Sequence, residues 1–356
     1  MELHENTHRK ETAVLVALDT GEYDIEASIA ELRALAESAG AEVSAVITQK
    51  RDRPDTATCI GPGKLEELRD FCREDESDLI VFDLELSPTQ IRNVEAFTEI
   101  RVIDRTQLIL DIFANRARSR EGILQVELAQ LQYALPRLGG KGRVLSRLAG
   151  GIGTRGPGES QLETDRRHIR QRIDKLSRDL QDIRHTRQVQ RERRMKNAMP
   201  TIALIGYTNA GKSTLLNLLC KESIQAKNRL FDTLDTTTRR WRLSSGETLL
   251  LSDTVGFIRK LPHHLIEAFK ATLEELQYAT VLLHVIDASH PEWREQMAVV
   301  EALVDELGVG TTPLLRVFNK CDKAPELPEL SGTAISAKTG EGVPDLEAAV
   351  RSALNL

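Results

Sequence analysis

The chain has 356 residues, enough for two or three domains that each bury a core of their own. Its 40% apolar and 29% charged residues are ordinary for a globular protein, whereas aromatic residues, at 4%, are too scarce for base stacking to be an evident mode of nucleic-acid binding. The formal net charge of −6 is unevenly spread, because residues 137–199 contain 17 lysines and arginines against 7 acidic residues. This basic segment indicates a local contact with a polyanion, although a solvated pair of charged helices has the same composition.

The distribution of apolar residues and cysteines argues against membrane proteins and structural metal sites. No apolar run approaches the roughly 20 residues of a membrane helix, and the polar N-terminus has no signal-peptide pattern. Cys59, Cys72, Cys220 and Cys321 lack paired ligand spacing, so neither a structural zinc nor a disulfide is expected. We therefore expect a cytoplasmic, monomeric protein without membrane insertion.

Residues 1–116 alternate strand-like and helix-like segments, which predicts a small domain with a parallel sheet. Ser87 and Pro88 form a favourable helix start, since serine caps free N–H groups and proline suits the first turn. The predicted strands are residues 12–18, 42–48, 79–82 and 101–104, and the predicted helices are residues 25–39, 64–73 and a segment from residue 88.

Gly61-Pro62-Gly63-Lys64 precedes one of these helices. Glycines before a helix N-terminus can hold a phosphate. Because the full spacing of a phosphate-binding loop is absent, a tight turn is the favoured interpretation.

Residues 117–199 are predicted to form a basic helical hairpin around a glycine-rich loop. The segment 108–134 contains no helix breaker except Gly122, and 160–198 is a long charged stretch with a narrow apolar seam. These segments are expected to pack as antiparallel helices. The seam consists of Leu162, Ile169, Ile173, Leu176, Leu180 and Ile183.

The loop between these helices contains glycines at 139–142 and 150–158 together with Arg143, Arg147 and Arg155. Glycine lets the backbone approach a ligand closely, and arginine pairs bidentately with phosphate. The pattern therefore favours a contact with an anionic ligand, and a flexible linker is the alternative.

Residues 200–356 resume the strand–helix rhythm and begin with a phosphate-binding motif. A short apolar strand at 201–205 leads into Gly206-Tyr-Thr-Asn-Ala-Gly211-Lys212-Ser213, and a helix follows from Thr214. The loop amides are expected to hold the phosphates at the helix N-terminus. Lys212 is expected to bridge the β- and γ-phosphates, and the Ser213 hydroxyl is expected to bind Mg²⁺.

A second strand, at 248–252, delivers Asp253-Thr254-Val255-Gly256. The Asp253 carboxylate is expected to reach Mg²⁺ through water, and the Gly256 amide to contact the γ-phosphate. Loss of that phosphate would release the segment that follows.

Guanine specificity is indicated by Asn319-Lys320-Cys321-Asp322, which follows a predicted strand at 314–318. A carboxylate at Asp322 accepts hydrogen bonds from the two guanine donors that adenine lacks, which makes discrimination steep. Lys320 is expected to pack its stem on the base, and Ser336-Ala337-Lys338 to close over its O6.

Position 257 bears directly on hydrolysis. Many small GTPases place a glutamine after the Asp-x-x-Gly motif, where it orients the attacking water. Phe257 stands here instead and cannot position a water. Intrinsic hydrolysis is therefore expected to be slow, with the missing group supplied by a partner or an ordered loop.

The chain resembles the HflX family of ribosome-associated, translation-factor-related GTPases, which is related to the Obg-type GTPases. The resemblance rests on Gly206–Thr214, Asp253–Ile258, the loop Gly153–Glu159 and the basic helices, and it covers nearly the whole chain. The glycine-rich loop is its most family-specific part. Many members carry a further C-terminal domain, whereas this sequence ends just after the expected last helix of the GTPase fold.

The resemblance implies site residues. Phe231-Asp-Thr-Leu-Asp235 is similar to the family's switch segment, with Asp232 and Thr236 in place of its usual alanine and proline. It implies that Thr233 is a second Mg²⁺ ligand and γ-phosphate sensor, so that Lys212, Thr233 and Gly256 serve hydrolysis and Ser213, Thr233 and Asp253 hold Mg²⁺. The full set expected at GTP or GDP is Gly206, Tyr207, Thr208, Asn209, Ala210, Gly211, Lys212, Ser213, Thr214, Phe231, Asp232, Thr233, Leu234, Asp235, Asp253, Thr254, Val255, Gly256, Asn319, Lys320, Asp322, Ser336, Ala337 and Lys338.

The expected fold is α/β, with an N-terminal parallel α/β domain, a long helical hairpin and a P-loop GTPase domain with a mixed sheet and helices on both faces. The resemblance implies a factor that hydrolyses GTP to GDP and phosphate, binds the large ribosomal subunit and its RNA, and splits or rescues stalled ribosomes. A ribosome-assembly or RNA-modification GTPase of the same fold is the main alternative. A P-loop ATPase or kinase conflicts with Asp322, and a membrane- or protein-docking regulatory GTPase leaves the basic helices unexplained.

Overall fold

The computed structural model of the protein describes residues 10–138, 157–196, 199–221, 230–231, 237–260, 276–324 and 331–356. The predicted residues Asp232, Thr233, Leu234 and Asp235 lie outside this part of the chain, as does the glycine-rich loop up to Gly156. Two compact units are present. One consists of residues 1–115 and 127–175, and the other consists of residues 116–126 and 176–356.

The N-terminal unit contains a four-stranded parallel sheet, as predicted. The strands are β1 (Thr12–Asp19), β2 (Glu42–Lys50), β3 (Leu79–Phe82) and β4 (Arg101–Asp104), in the order β2-β1-β3-β4. The helices are α1 (Ile25–Ala39), α2 (Pro62–Glu74), α3 (Pro88–Thr98) and α4 (Arg105–Arg116). Apolar side chains of β1 and β3 are fully buried, because helices cover a parallel sheet on its faces.

Local sequence signals explain two helix starts in this unit. The Ser87 hydroxyl accepts a hydrogen bond from the Gln90 N–H, and the Gln90 side chain accepts one from the Ser87 N–H, which forms the capping box before α3. Gly61 lies at the N-cap of α2, and its N–H donates to the Gln49 side chain at 2.8 Å. The tight turn favoured for the Gly61–Lys64 segment is therefore wrong, because Pro62, Gly63 and Lys64 already form the first turn of α2.

The prediction of one helical segment over 108–134 was wrong. The chain instead ends α4 at Arg116 and begins α5 (Arg120–Ala134) after a break at residues 117–119. The Ser119 hydroxyl accepts a hydrogen bond from the Gly122 N–H at 2.9 Å, so the helix restarts on a serine cap, and Gly122 lies inside the new first turn. A short 3₁₀ helix (Leu135–Leu138) follows α5.

The long charged helix, α6 (Pro157–Lys196), forms as predicted. Leu176 and Leu180 of the apolar seam are buried, whereas Ile169, Ile173 and Ile183 are half-buried. The Arg172 guanidinium binds the Glu127 carboxylate through contacts of 2.7 and 2.8 Å, which joins α6 to α5.

The C-terminal unit contains a six-stranded mixed sheet with the order β10-β9-β8-β5-β7-β6. The edge strand β6 is antiparallel to β7, and the other pairings are parallel. The strands are β5 (Thr201–Ile205), β6 (Thr237–Arg242), β7 (Thr248–Asp253), β8 (Val281–Asp287), β9 (Leu314–Asn319) and β10 (Thr333–Ala334), and the described helices are α7 (Lys212–Cys220), α8 (Trp293–Glu306) and α9 (Val343–Leu354). Among the described residues, no helix is both long and apolar enough to cross a membrane.

Candidate nucleotide-binding site

The Gly206–Ser213 motif joins the end of β5 to the start of α7, which is the strand–loop–helix context that a phosphate-binding loop requires. Gly211 is the N-cap of α7 and has a φ of 96°, in the left-handed region. A Cβ atom there would lie 2.2 Å from the Asn319 side-chain nitrogen, so only glycine fits. Because the loop has no side chain at this position, the free N–H groups at the start of α7 are available to bind a phosphate.

Lys212 is buried, with 6% of its surface exposed. Its Nζ donates hydrogen bonds to the Gly206 carbonyl at 2.9 Å and the Tyr207 carbonyl at 2.8 Å. Burial lowers the pKa of Lys212 to about 8, and the nearby Asp253 carboxylate opposes this shift. The ammonium group is thus held in place before a phosphate binds, although burial disfavours its charge.

The predicted magnesium ligands Ser213 and Asp253 lie together, because β5 and β7 are paired neighbours. The Ser213 hydroxyl donates to Asp253 Oδ2 at 2.8 Å, and Asp253 is 1% exposed. Thr254 fixes the turn, since its N–H donates to Asp253 Oδ1 at 3.0 Å and its hydroxyl donates to the Leu204 carbonyl at 2.6 Å. A hydroxyl beside a carboxylate is the oxygen donor set that Mg²⁺ prefers.

Asn319 connects the two ends of the base pocket. Its side-chain nitrogen donates to the Ala210 carbonyl at 2.8 Å, and its side-chain oxygen accepts from the Ala337 N–H at 2.9 Å. Both polar atoms of this buried amide are therefore engaged with the protein. Asn319 holds the phosphate-binding loop and the Ser336–Lys338 segment at a fixed separation.

The base-recognition motifs line one open pocket beside the phosphate-binding loop. Lys320, Asp322 and the segment Ser336–Lys338 all line it. Lys323 also lines the pocket and was not predicted, although its position directly after Asp322 offered a signal. The full lining is Asn209, Gly211, Thr214, Asn319, Lys320, Asp322, Lys323, Ser336, Ala337 and Lys338.

Comparisons with known proteins agree with this geometry. Three family models match the chain: a GTP-binding GTPase N-terminal region over residues 26–114, a GTP-binding GTPase middle region over 116–194, and a 50S ribosome-binding GTPase over 201–320. A GTPase HflX from Caldanaerobacter subterraneus subsp. tengcongensis is 51% identical over 354 residues, which cover 99% of this chain and 82% of the relative.

The chain belongs to the HflX family of GTPases. The HflX protein of Escherichia coli strain K12 is 44% identical over 355 residues, covering 97% of this chain and 83% of that protein. A solved structure described as a complex of SsGBP and GDP is similar, with 26% identity, a TM-score of 0.52, and coverage of 96% of this chain and 98% of that one.

In this HflX-family GTPase, the segment Gly256–Phe257 runs beside the loop Gly206–Ser213. The Thr208 N–H donates to the Phe257 carbonyl at 2.8 Å, and the Phe257 N–H donates to the Gly206 carbonyl at 3.2 Å. A Cβ atom on Gly256 would lie 2.9 Å from Thr208, so this close approach requires glycine. The Phe257 ring is 2% exposed and turned into the protein.

Three further predicted residues, Tyr207, Phe231 and Val255, have buried side chains. The Tyr207 hydroxyl accepts a hydrogen bond from the Arg259 N–H at 2.8 Å. Val255 is 7% exposed and Phe231 is 2% exposed, so both side chains pack into the protein. Any contact of Val255 with nucleotide would therefore come from its backbone.

Proposed function

We propose that this HflX-family GTPase is a GTP-dependent switch that binds the large ribosomal subunit and splits or rescues stalled ribosomes. The observation that carries the proposal is the buried Phe257 ring, which occupies the position where many GTPases place the water-orienting glutamine. The family description of residues 201–320, a 50S ribosome-binding GTPase, supports the choice of partner.

Hydrolysis requires groups that bind the phosphates, groups that hold Mg²⁺, and a group that orients the attacking water. Gly211 and Lys212 sit where they can bind the phosphates, and Gly256 lies against the same loop. We propose that Ser213 and Asp253, the latter through water, hold Mg²⁺ together with Thr233. A bound Mg²⁺ would offset the phosphate charge. The Phe257 side chain offers no polar group to the attacking water, so we expect a partner or an ordered loop of the chain to supply one.

RNA is the partner favoured by the charges on α6. Arg167 and Arg170 are exposed on this helix, which leads out of the glycine-rich loop. Arginines gain affinity for RNA by binding phosphates and releasing counterions. Together with the arginines of the glycine-rich loop, they form an RNA-facing element in the proposal.

We further propose three functional parts, namely residues 1–116, 117–199 and 200–356, in a monomer that acts in the cytoplasm. The first part is the α/β domain, the second contains the RNA-facing element, and the third binds GTP. In this scheme the GTP state of the third part sets the affinity of the second for the ribosome.

Ribosome splitting is tested by adding the protein to intact ribosomes and following light scattering. We expect scattering to fall with GTP or a non-hydrolysable GTP analogue and to stay constant with GDP. The Lys212→Ala variant should be inactive, because the phosphates lose their main cation. Binding to the large subunit without any fall in scattering would favour a ribosome-assembly GTPase instead.

A further inference from the structure

Asp287 belongs to none of the nucleotide motifs, but it contacts Lys320, which lines the guanine pocket. It is the last residue of β8 and pairs in register with Asn319, the last residue of β9. Its side chain is 12% exposed. An aspartate at this depth beside a ligand pocket requires fixed partners.

The partner of Asp287 in the pocket is Lys320. The Lys320 Nζ lies 2.6 Å from Asp287 Oδ2, and the lysine side chain is 25% exposed. Lys320 has a φ of 62°, an uncommon conformation for a lysine, and its side chain lines the pocket. The ion pair fixes the end of a flexible side chain whose stem forms part of the pocket wall.

Asp287 is itself held by a different residue. Its Oδ1 accepts hydrogen bonds from the Ser289 N–H at 3.1 Å and the Ser289 hydroxyl at 2.6 Å. The Ala288 N–H donates to the Asn319 carbonyl at 2.9 Å and ties this turn to β9. Each carboxylate oxygen therefore has its own partner, and the group is oriented before any ligand arrives.

We propose that Asp287 is a positioning residue for guanine nucleotides, which holds the Lys320 stem in place as a surface for the base. A free lysine samples many rotamers, and restricting it on binding costs entropy. The Asp287 carboxylate imposes that restriction in the free protein. This inference rests on the assignment of the pocket to guanine, through Asp322.

The test compares Asp287→Asn, Ser289→Ala and the control Glu301→Gln. Glu301 of α8 accepts a hydrogen bond from Arg316 of β9 at 2.9 Å, and neither residue lines the pocket. Release of fluorescent GDP and of a fluorescent non-hydrolysable GTP analogue is followed by stopped flow. We expect Asp287→Asn to release both about tenfold faster and Ser289→Ala about threefold faster. The Glu301→Gln control should release both nucleotides at the native rates, and its GTP turnover at saturating GTP should also be native.

A double-mutant cycle separates positioning from a structural role. In a Lys320→Ala background, Asp287→Asn should not accelerate release further, because the group that it positions is gone. A lower melting temperature with native release rates would show that Asp287 only stabilises the fold and would overturn the proposal. The Asp322→Ala variant tests the assignment of the pocket to guanine, because native GDP affinity in that variant would refute the assignment. If Asp322→Ala binds GDP more weakly while Asp287→Asn releases it at the native rate, only the proposed role of Asp287 is refuted.

Discussion

The ammonium group of Lys212 is held in position for an anionic ligand, but its burial disfavours the positive charge. Two backbone carbonyls hold its ammonium group, whereas burial lowers its pKa to about 8. The folded, nucleotide-free protein thus binds this proton less tightly than the unfolded chain does. Its stability should therefore rise with pH from about 8 toward the unfolded pKa of about 10.4.

Nucleotide binding should reverse this shift, because phosphates favour the protonated lysine. At pH 8 about half of the Lys212 side chains are neutral in the free protein, so GDP binding should take up about half a proton. Calorimetry in two buffers of different ionisation enthalpy measures this uptake. An uptake of zero at pH 8, or affinity that does not decline as pH rises above 8, would contradict the assignment of Lys212.

Arg105 in the N-terminal unit gives a stability prediction at the same scale. This guanidinium is 2% exposed and binds Asp83 at 2.9 Å and also Glu31, while Ser28 donates to the other Asp83 oxygen at 2.7 Å. Replacing Arg105 with Met leaves a buried carboxylate without its cation. We expect a loss of about 3–5 kcal/mol in the free energy of unfolding.

Urea unfolding followed by circular dichroism measures the loss in Arg105→Met. The matched control is Arg73→Met, which breaks the exposed pair between Arg73 and Glu99 and should cost less than about 1 kcal/mol. Equal losses in both variants would show that the buried network contributes no more than a surface ion pair.

At the scale of elements, the segment that follows β7 is held beside the loop Gly206–Ser213 by an isolated parallel bridge between Tyr207 and Phe257. Phe257 exchanges two backbone hydrogen bonds with the phosphate-binding loop, and its ring is buried. The backbone of Phe257 therefore fixes the segment, and its ring packs in the core. A polar side chain at position 257 would be buried there, which is unfavourable.

The variant Phe257→Gln tests this explanation. A buried glutamine would lose aromatic packing and leave its amide without assured partners, so we expect a loss of about 2–4 kcal/mol in stability. Basal GTP turnover should stay at the native level, because the side chain at this position is directed inward. A tenfold gain in basal turnover would show that only the glutamine was missing.

The glycine-rich loop and its arginines form the element expected to contact RNA. The double variant Arg147→Ala/Arg155→Ala should weaken binding to large ribosomal subunits about tenfold or more and reduce its salt dependence, since two phosphate contacts are lost. GDP affinity should be unchanged. The control Lys10→Ala/Arg53→Ala removes two exposed charges from the N-terminal domain.

Sedimentation with purified large subunits measures the binding of the loop variant and its control. An equal loss in both variants would indicate a general charge effect. A large loss of GDP affinity in Arg147→Ala/Arg155→Ala would place the loop at the nucleotide instead.

Strands and most helices were predictable because apolar periodicity and caps are local signals. The break at residues 117–119 is hard to predict, because Ala117, Arg118 and Ser119 include neither glycine nor proline and the serine cap is the only local signal of a new helix. In the site, the motifs predicted a phosphate-binding loop, which the structure has between β5 and α7, and a base-binding segment, which the structure has along one pocket. The contacts of Asn319 with Ala210 and of Asp287 with Lys320 join segments that are far apart in sequence, so no local pattern predicts them.

At the scale of the whole molecule, the chain combines a GTP site that has Phe257 at the position of the usual water-orienting glutamine with a basic segment, residues 137–199, that contains 17 lysines and arginines. The two features are complementary if RNA contact by the basic segment brings the partner that completes hydrolysis. GTP hydrolysis then follows ribosome binding, and the protein returns to the GDP state only after it has bound the ribosome.

GTP turnover with and without purified large ribosomal subunits, at several salt concentrations, tests this coupling most directly. We expect slow turnover by the free protein and a large stimulation by the subunits that declines steeply as salt rises, because counterion release drives the RNA contact. Equal turnover with and without subunits at every salt concentration would contradict the account.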